Sequence, residues 1–475
     1  MTLAELITMH DGLATSTAIL TRSGRLTYAD LRARAEHWRR TVASATPASA
    51  PVGVLMDEPG EFVSAALGAW QAGCPVLPLD PALHPSQAHD ALNESGAGLL
   101  VTDRDASSLP PLEGLRVTVL TSPDGGSPAS GAAPASGDPA LLLYSSGTTG
   151  TPKCVVFSHG AMVRNVRALI DVTGLTAEDC VMTPLAPALA AALATCVLPA
   201  LAIGARLVLP GRVLPMQTAR LLAEHGVSVF HGVPFVYDLL SRLEVPQNPS
   251  QLRLCITNSA PMAHSVAEGF ERRFGHLPRS NYCSSEAGAI TFNGSDDRDL
   301  VLGSVGTALP GVRVRVVDDE GRDLEAGAEG RIVVHSPMVA TGYLDRPDLT
   351  AEVFRDGAVW TDDLGRLDAG GNLWVTGRIS AMVNIAGHLV NPATVEAVLV
   401  QHDNVAEALV RGEDDDETGQ RLSALVVPRG DLDLGALRSY CFERLPGHAV
   451  PHRFVAVPSL ARTSLGKPQR RQAGG

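Results

Sequence analysis

The stretch from Leu143 to Lys153, Leu-Tyr-Ser-Ser-Gly-Thr-Thr-Gly-Thr-Pro-Lys, gathers hydroxyls, glycines and one lysine behind an apolar run. Glycines such as Gly147 and Gly150 let a backbone turn tightly and bring N–H groups toward an anion. Ser145, Ser146, Thr148, Thr149 and Thr151 can donate to phosphate oxygens, and Lys153 adds a cation. The chemistry is that of polyphosphate binding. The segment is not a Walker A loop: Pro152 stands where that motif needs glycine, and Cys154 where it needs Ser or Thr.

Lys153 is one of only two lysines among 38 basic residues; the other is Lys467, in Ser464-Leu-Gly-Lys467 near the C-terminus. A composition pushed this far toward arginine, as in a GC-rich genome, is expected to keep lysine where arginine cannot replace it. Lysine is a compact, flexible point charge, arginine a wide planar fork.

These residues need elements to hold them. Residues 26–43 read as an amphipathic helix entered through Thr27 and Asp30. PVGVLM (51–56), PVLPLD (75–80), LLVTD (99–103) and LRVTVL (115–120) read as buried strands, with a helix at 61–72. Strands alternating with helices predict an α/β fold with a largely parallel sheet. Residues 122–138, rich in Ser, Pro, Gly and Ala, read as an exposed loop leading into the hydroxyl-rich segment. From 303 to 378 the pattern becomes short strands and turns, a smaller β-rich subdomain. After Arg378 it resets into a small α+β unit with a helix at 392–402, and the run EDDDE (413–417) reads as a solvated loop. The expected organisation is a large N-terminal domain at 1–378, a hinge at 379–380 and a C-terminal domain at 381–475.

Composition excludes several classes. The net charge of −13 argues against nonspecific nucleic-acid binding. No apolar run reaches a membrane span, and the richest, Ala186 to Leu209, is broken by Pro187, Pro199, Gly204 and Arg206. The N-terminus lacks the pattern of a signal peptide, so a cytoplasmic protein is expected. The seven cysteines form no C-x-x-C pair or Cys/His cluster and are expected to be mostly buried apolar residues.

The hydroxyl-rich loop resembles the phosphate loop of the acyl-adenylate-forming superfamily, which includes acyl- and aryl-CoA synthetases, adenylation enzymes of nonribosomal peptide synthesis and firefly luciferase. The likeness covers nearly the whole chain, with motifs in family order. LTYADLRARAEHW and AGCPVLPLDP resemble two upstream structural motifs. Tyr282-Cys-Ser-Ser-Glu286 resembles Tyr-Gly-x-Thr-Glu, and GYLDRPDLTAEVF (342–354) is a close match. Thr361-Asp-Asp363 resembles Thr-Gly-Asp, Gly377-Arg378 the Gly-Arg before the hinge, and Ser464-Leu-Gly-Lys467 the terminal Ser-Gly-Lys.

The resemblance implies ATP and Mg²⁺ as cofactors and a role for each matched residue. Tyr282 stacks on adenine, and Glu286 offers a hard oxygen to Mg²⁺. Ser285 keeps the hydroxyl of the family threonine. Asp363 and Arg378 reach the ribose. Asn258-Ser259-Ala260-Pro261 lies beside adenine, where backbone rather than side chains is expected to matter. Lys467 enters the active site as a catalytic cation, with Lys153 and Glu286 as the other catalytic residues, and the small C-terminal domain is expected to be mobile. Three departures stand out: Asp362 in place of glycine, Ser380 at the hinge where Asp or Lys is usual, and Asn384 where lysine is common.

By family position the acid pocket comprises Ala188, His231, Gly232, Val233, Pro234, Asn258 and Cys283. Ala188 aligns with the Asp of amino-acid-activating relatives, so no charge awaits an ammonium and an α-amino acid is disfavoured. His231 is either a polar anchor or a core histidine. The implied reaction is adenylation of a non-amino carboxylic acid, as in secondary metabolism, and transfer to a thiol, that of CoA or of phosphopantetheine on a separate acyl or peptidyl carrier protein. Ile385-Ala-Gly387-His388 falls where the family forms its thiol tunnel. Two alternatives stay open. One passes the adenylate to an amine, or activates an inorganic oxyanion such as nitrite. The other is a nucleotide-binding regulator without catalysis, which would have no need of Lys467.

Overall fold

The structure, a computed structural model, describes residues 1–105, 109, 112, 117–121, 133–145, 153–243, 251–385, 388–415 and 419–462. It divides into two compact units: Met1–Val314 with Val334–Val359, and Arg315–Val333 with Trp360–Gly475.

The first unit is the α/β body that the sequence predicts. Its seven-stranded sheet runs Gly342–Tyr343, Lys153–Ser158, Pro139–Ser145, Val76–Pro78, Val52–Leu55, Leu99–Thr102, Thr118–Leu120. The last five strands are mutually parallel, and Lys153–Ser158 is antiparallel to both its neighbours. Val52, Val54, Leu99 and Val101 are buried, as expected of strands covered on both faces. The helix Tyr28–Ala45 starts at a capping box in which Thr27 and Asp30 bond each other's backbone N–H. The helix Pro59–Gln71 crosses it closely at Gly68, where a Cβ would come within 2.6 Å of the Ala35 carbonyl oxygen.

A nine-stranded sheet carries the rest of this unit. Arg279–Ser284, Leu254–Thr257, Val229–Gly232, Cys180–Met182, Arg206–Val208 and Thr17–Leu20 are parallel neighbours in that order. Antiparallel strands close it at both edges: Gly288–Phe292 and Thr307–Ala308 at one, Arg25–Thr27 at the other.

In the second unit, strand Ala358–Leu367 pairs with Leu373–Arg378 so that Asp363 faces Arg378. Further along, Val405–Asp415, Gly419–Pro428 and Arg453–Ala456 form a three-stranded sheet. Helices Pro392–Val400 and Leu434–Phe442 share a core with it through Val395, Leu399, Val410, Leu422, Leu437 and Cys441. One expectation fails here. Glu413, Asp414 and Asp415 are the end of a strand rather than a loop, where one arginine answers two of the acids: Glu413 faces Arg421, and Arg421 pairs with Asp415 at 2.8 Å. Six of the seven cysteines are buried, and Cys283 is half-buried. Among the described residues, no helix is long and apolar enough to cross a membrane.

Candidate active site

Most of the hydroxyl-rich loop lies outside the described residues: Ser146, Gly147, Thr148, Thr149, Gly150, Thr151 and Pro152. So do Ala386, Gly387 and Lys467. The strands that flank the loop are clear. Pro139–Ser145 and Lys153–Ser158 pair antiparallel, with Ser145 opposite Lys153. A strand pair in that register delivers the two ends of the intervening segment side by side.

Glu286 sits in the turn of the hairpin formed by Arg279–Ser284 and Gly288–Phe292. Ser284 Oγ accepts from the Ala287 N–H at 3.0 Å and tightens that turn. The ladder is irregular between Tyr282 and Cys283, a bulge that re-aims the side chains beside it. Asn165, on the helix His159–Thr173, anchors the hairpin: its Oδ1 accepts from the Ala289 N–H at 2.9 Å and its Nδ2 donates to the Ala194 carbonyl at 3.1 Å. Tyr282, Cys283 and Ser285 are half-buried around Glu286.

The fold brings Lys153 and Glu286 to one residue that the sequence did not single out. Tyr343 donates its hydroxyl to Glu286 Oε1 at 2.7 Å. Lys153 Nζ lies 5.7 Å from the centre of the same ring. Burial, then Glu286, pushes the Tyr343 phenol well above its ordinary pKa, so it stays a donor.

A second cluster gathers pocket residues. His231 is the penultimate residue of the strand Val229–Gly232 and is fully buried. Its Nε2 lies 2.9 Å from Thr195 Oγ1 and 3.2 Å from Asn258 Nδ2. Asn258 also donates to Thr195 Oγ1 at 3.0 Å, and Thr195 donates to the Ala191 carbonyl at 2.6 Å. Thr195 is carried by a π-helical turn, Leu193–Val197. Such wide turns are frequent at functional sites. Thr195 was missed; the available signal was that it is the only hydroxyl in the apolar run 186–209. Ala188 is buried just before this turn. Val233 is buried as the N-cap of the helix Pro234–Ser241, whose first residue is Pro234. A Cβ at Gly232 would meet the Tyr237 ring at 3.2 Å, so that position has little room for a side chain.

The segment 258–261, placed beside adenine by the resemblance, combines an unusual backbone with one engaged side chain. Ser259 has φ +73°, the left-handed region that favours glycine, and its hydroxyl donates to Asn258 Oδ1 at 3.1 Å. The Asn258 side chain is nonetheless in use, holding Thr195 and His231. Ala260 and Pro261 follow in irregular backbone.

Burial lowers the His231 pKa to about 4, and His159, also buried, falls to about 4. Both rings are neutral in the fold, and in acid the unfolded chain takes up protons that the folded one refuses. Their contribution is complete above the ordinary histidine value and is lost as pH falls from about 6.5 toward 4, up to ~3 kcal/mol for each ring. The melting temperature is expected to drop over that window. His231→Gln should flatten the drop, and an unchanged slope in that variant would remove His231 from this account.

In the second unit, Arg378 Nε donates to Asp363 Oδ1 at 2.9 Å. The adjacent acid, Asp362, accepts from the Ser380 backbone N–H at 2.9 Å and also from the Ser380 hydroxyl. The two departures at 362 and 380 thus bond each other. The third, Asn384, takes Gln420 Oε1 on its backbone N–H at 3.0 Å.

Residues 12–344 match the family model for AMP-binding enzymes, and residues 394–467 the model for the AMP-binding enzyme C-terminal domain. A sulfoacetate–CoA ligase of Cupriavidus necator is 32% identical over 387 residues, 80% of this chain and 74% of that protein. Among solved structures, ATP-bound MatB from Rhodopseudomonas palustris superposes with TM-score 0.90 at 26% identity, over 99% of this chain and 97% of its own. The amide bond synthetase McbA from Marinactinospora thermotolerans superposes with TM-score 0.86 at 27% identity, over 98% of this chain and 97% of its own.

Proposed function

The chain belongs to the AMP-binding enzyme family, and from that premise we propose that it adenylates a carboxylic acid lacking an α-amino group and passes the acyl group to a thiol. The observation that carries this reading is the gathering of Lys153 and Glu286, distant in sequence, on Tyr343. A cation and a carboxylate held together suit a nucleotide triphosphate and its metal. Among the described residues no group of three His, Cys, Asp or Glu side chains could hold a metal by itself. Mg²⁺ keeps waters and binds through one or two carboxylates plus the phosphates of its substrate, so a single well-placed carboxylate can serve it. Glu286 would supply the carboxylate, and the bound ion would neutralise phosphate charge. Lys153 with Ser145–Gly150 would hold the phosphates, Tyr282 and Asn258–Pro261 the adenine, and Asp363 with Arg378 the ribose.

The acid end is supported by what surrounds His231. Ala188, Val233 and a neutral His231–Thr195–Asn258 cluster offer no counter-charge to an ammonium. CoA is the acceptor named for the sulfoacetate ligase, and it or a carrier-bound phosphopantetheine would serve here. Asn384 and the likeness to an amide bond synthetase favour an amine as the second acceptor. Acid-dependent exchange of labelled pyrophosphate into ATP tests the reading. Over a panel of matched pairs, the non-amino acid should exceed its α-amino counterpart by about a hundredfold, because a buried ammonium without a partner costs several kcal/mol. Exchange driven best by α-amino acids would overturn it.

A further inference from the structure

We propose that Tyr343 is a positioning residue that sets both charges of the nucleotide site, aiming the Glu286 carboxylate through its hydroxyl and seating the Lys153 ammonium on its ring. The inference rests on the nucleotide reading of Lys153 and Glu286 given above.

Tyr343 is held from every side. Its strand, Gly342–Tyr343, pairs antiparallel with Lys153–Ser158, placing Tyr343 opposite Val155. The next residue continues the contact, Leu344 N–H donating to the Cys154 carbonyl at 2.9 Å. The Tyr343 N–H donates to Thr350 Oγ1 at 2.9 Å, and the Phe354 ring meets the tyrosine ring edge-on at 5.7 Å. Gly342 lets Thr350 come this close: its φ is +146°, and a Cβ there would lie 2.6 Å from Thr350 Cγ2. The side chain is 6% exposed. A phenol fixed in this way has one orientation to offer.

That orientation serves two neighbours at once. The hydroxyl engages Glu286 Oε1 at 2.7 Å, so that Oε2 is the carboxylate oxygen left to meet a cation. Partners that orient a metal-binding carboxylate in this manner change metal affinity by about 10–100-fold when removed. The Lys153 ammonium lies within the ~6 Å over which an aromatic face attracts a cation. The carboxylate and the ammonium thereby meet different features of one ring, its hydroxyl edge and its face. An Mg²⁺ and a phosphate oxygen can then each meet its own charge.

Two substitutions separate the functions. Tyr343→Phe removes the hydroxyl and keeps the ring. Tyr343→Leu removes both. The readout is ATP binding by calorimetry, with Mg²⁺ titrated and again in EDTA, so that no acid and no turnover are needed. Tyr343→Phe is expected to raise the Mg²⁺ needed for half-maximal ATP binding about tenfold while metal-free ATP binding stays unchanged. Tyr343→Leu is expected to weaken metal-free binding as well. A fold defect is controlled by a double-mutant cycle with Glu286→Gln: once the carboxylate charge is gone, Tyr343→Phe should have no further effect on Mg²⁺ dependence. Wild-type Mg²⁺ dependence in Tyr343→Phe, or an equal loss with and without Glu286→Gln, overturns the proposal. A wild-type protein that binds Mg·ATP and activates no acid would sink the acid reading while leaving the Tyr343 measurement intact.

Discussion

Lys467→Ala is expected to lower acid-dependent pyrophosphate exchange by about 10²–10³, roughly 3–4 kcal/mol of transition-state stabilisation, while ATP still binds. The reason is electrostatic. When a carboxylate attacks the α-phosphate, two anions approach, and charge builds on the oxygens around phosphorus. A cation between them offsets the repulsion where it is greatest. Lys467 is the natural candidate because it and Lys153 are the only lysines in the chain, and Lys153 already lies 5.7 Å from the centre of the Tyr343 ring. Lys467→Arg should fail as well, since a planar fork does not occupy the volume of a point charge. Near-normal exchange in either variant would remove Lys467 from the reaction.

The second large effect is expected at Ser380. On the proposed function, adenylation would call for Lys467 at the phosphorus, and thiol transfer for an open path past Gly387. We propose that the segment from Ala381 turns as a body about Ser380 to serve the two steps in alternation. Ser380→Pro fixes φ near −65° and deletes the N–H that now reaches Asp362. Thioester yield should fall about a hundredfold while pyrophosphate exchange from the same preparation changes little. Asp362→Gly, which recreates the glycine of the family motif, should release the bond to Ser380 without stiffening the chain and so move the two rates far less. If exchange and transfer fall together in Ser380→Pro, alternation about this residue is wrong.

Local signals carried much of this structure. Thr27 and Asp30 marked a helix start because capping is a short-range hydrogen-bond problem, solved within four residues. The buried strands at 52–55 and 99–102 were visible because strands covered on both faces must be apolar throughout. Tyr282 and Glu286 stood out only through the resemblance of their motif to the family's, because nothing local marks a single aromatic or carboxylate as special. What escaped depended on register between distant strands. Tyr343 lies far from Glu286 in sequence, and the two meet where the chain entering its strand crosses the hairpin turn, the Ala340 N–H donating to the Glu286 carbonyl at 2.8 Å. The bond from Ser380 to Asp362 likewise needs the hairpin register in which Asp363 faces Arg378. Glu413–Asp415 misled because a run of acids reads as solvated until the arginine across the ladder is known. Thr195 was hidden by a backbone irregularity that no hydrophobic pattern records.

That irregularity bears on how the protein could be re-engineered. A π-helical turn carries more residues than an α-helical turn, and each residue advances a helix by about 100°. Removing one residue within Leu193–Val197 would restore ordinary winding and swing Thr195 away from His231 and Asn258. Adding one would rotate a different small side chain into its place. A library that varies the length of this turn would therefore sample new pocket walls in discrete rotations, a dimension that substitution at fixed length does not reach.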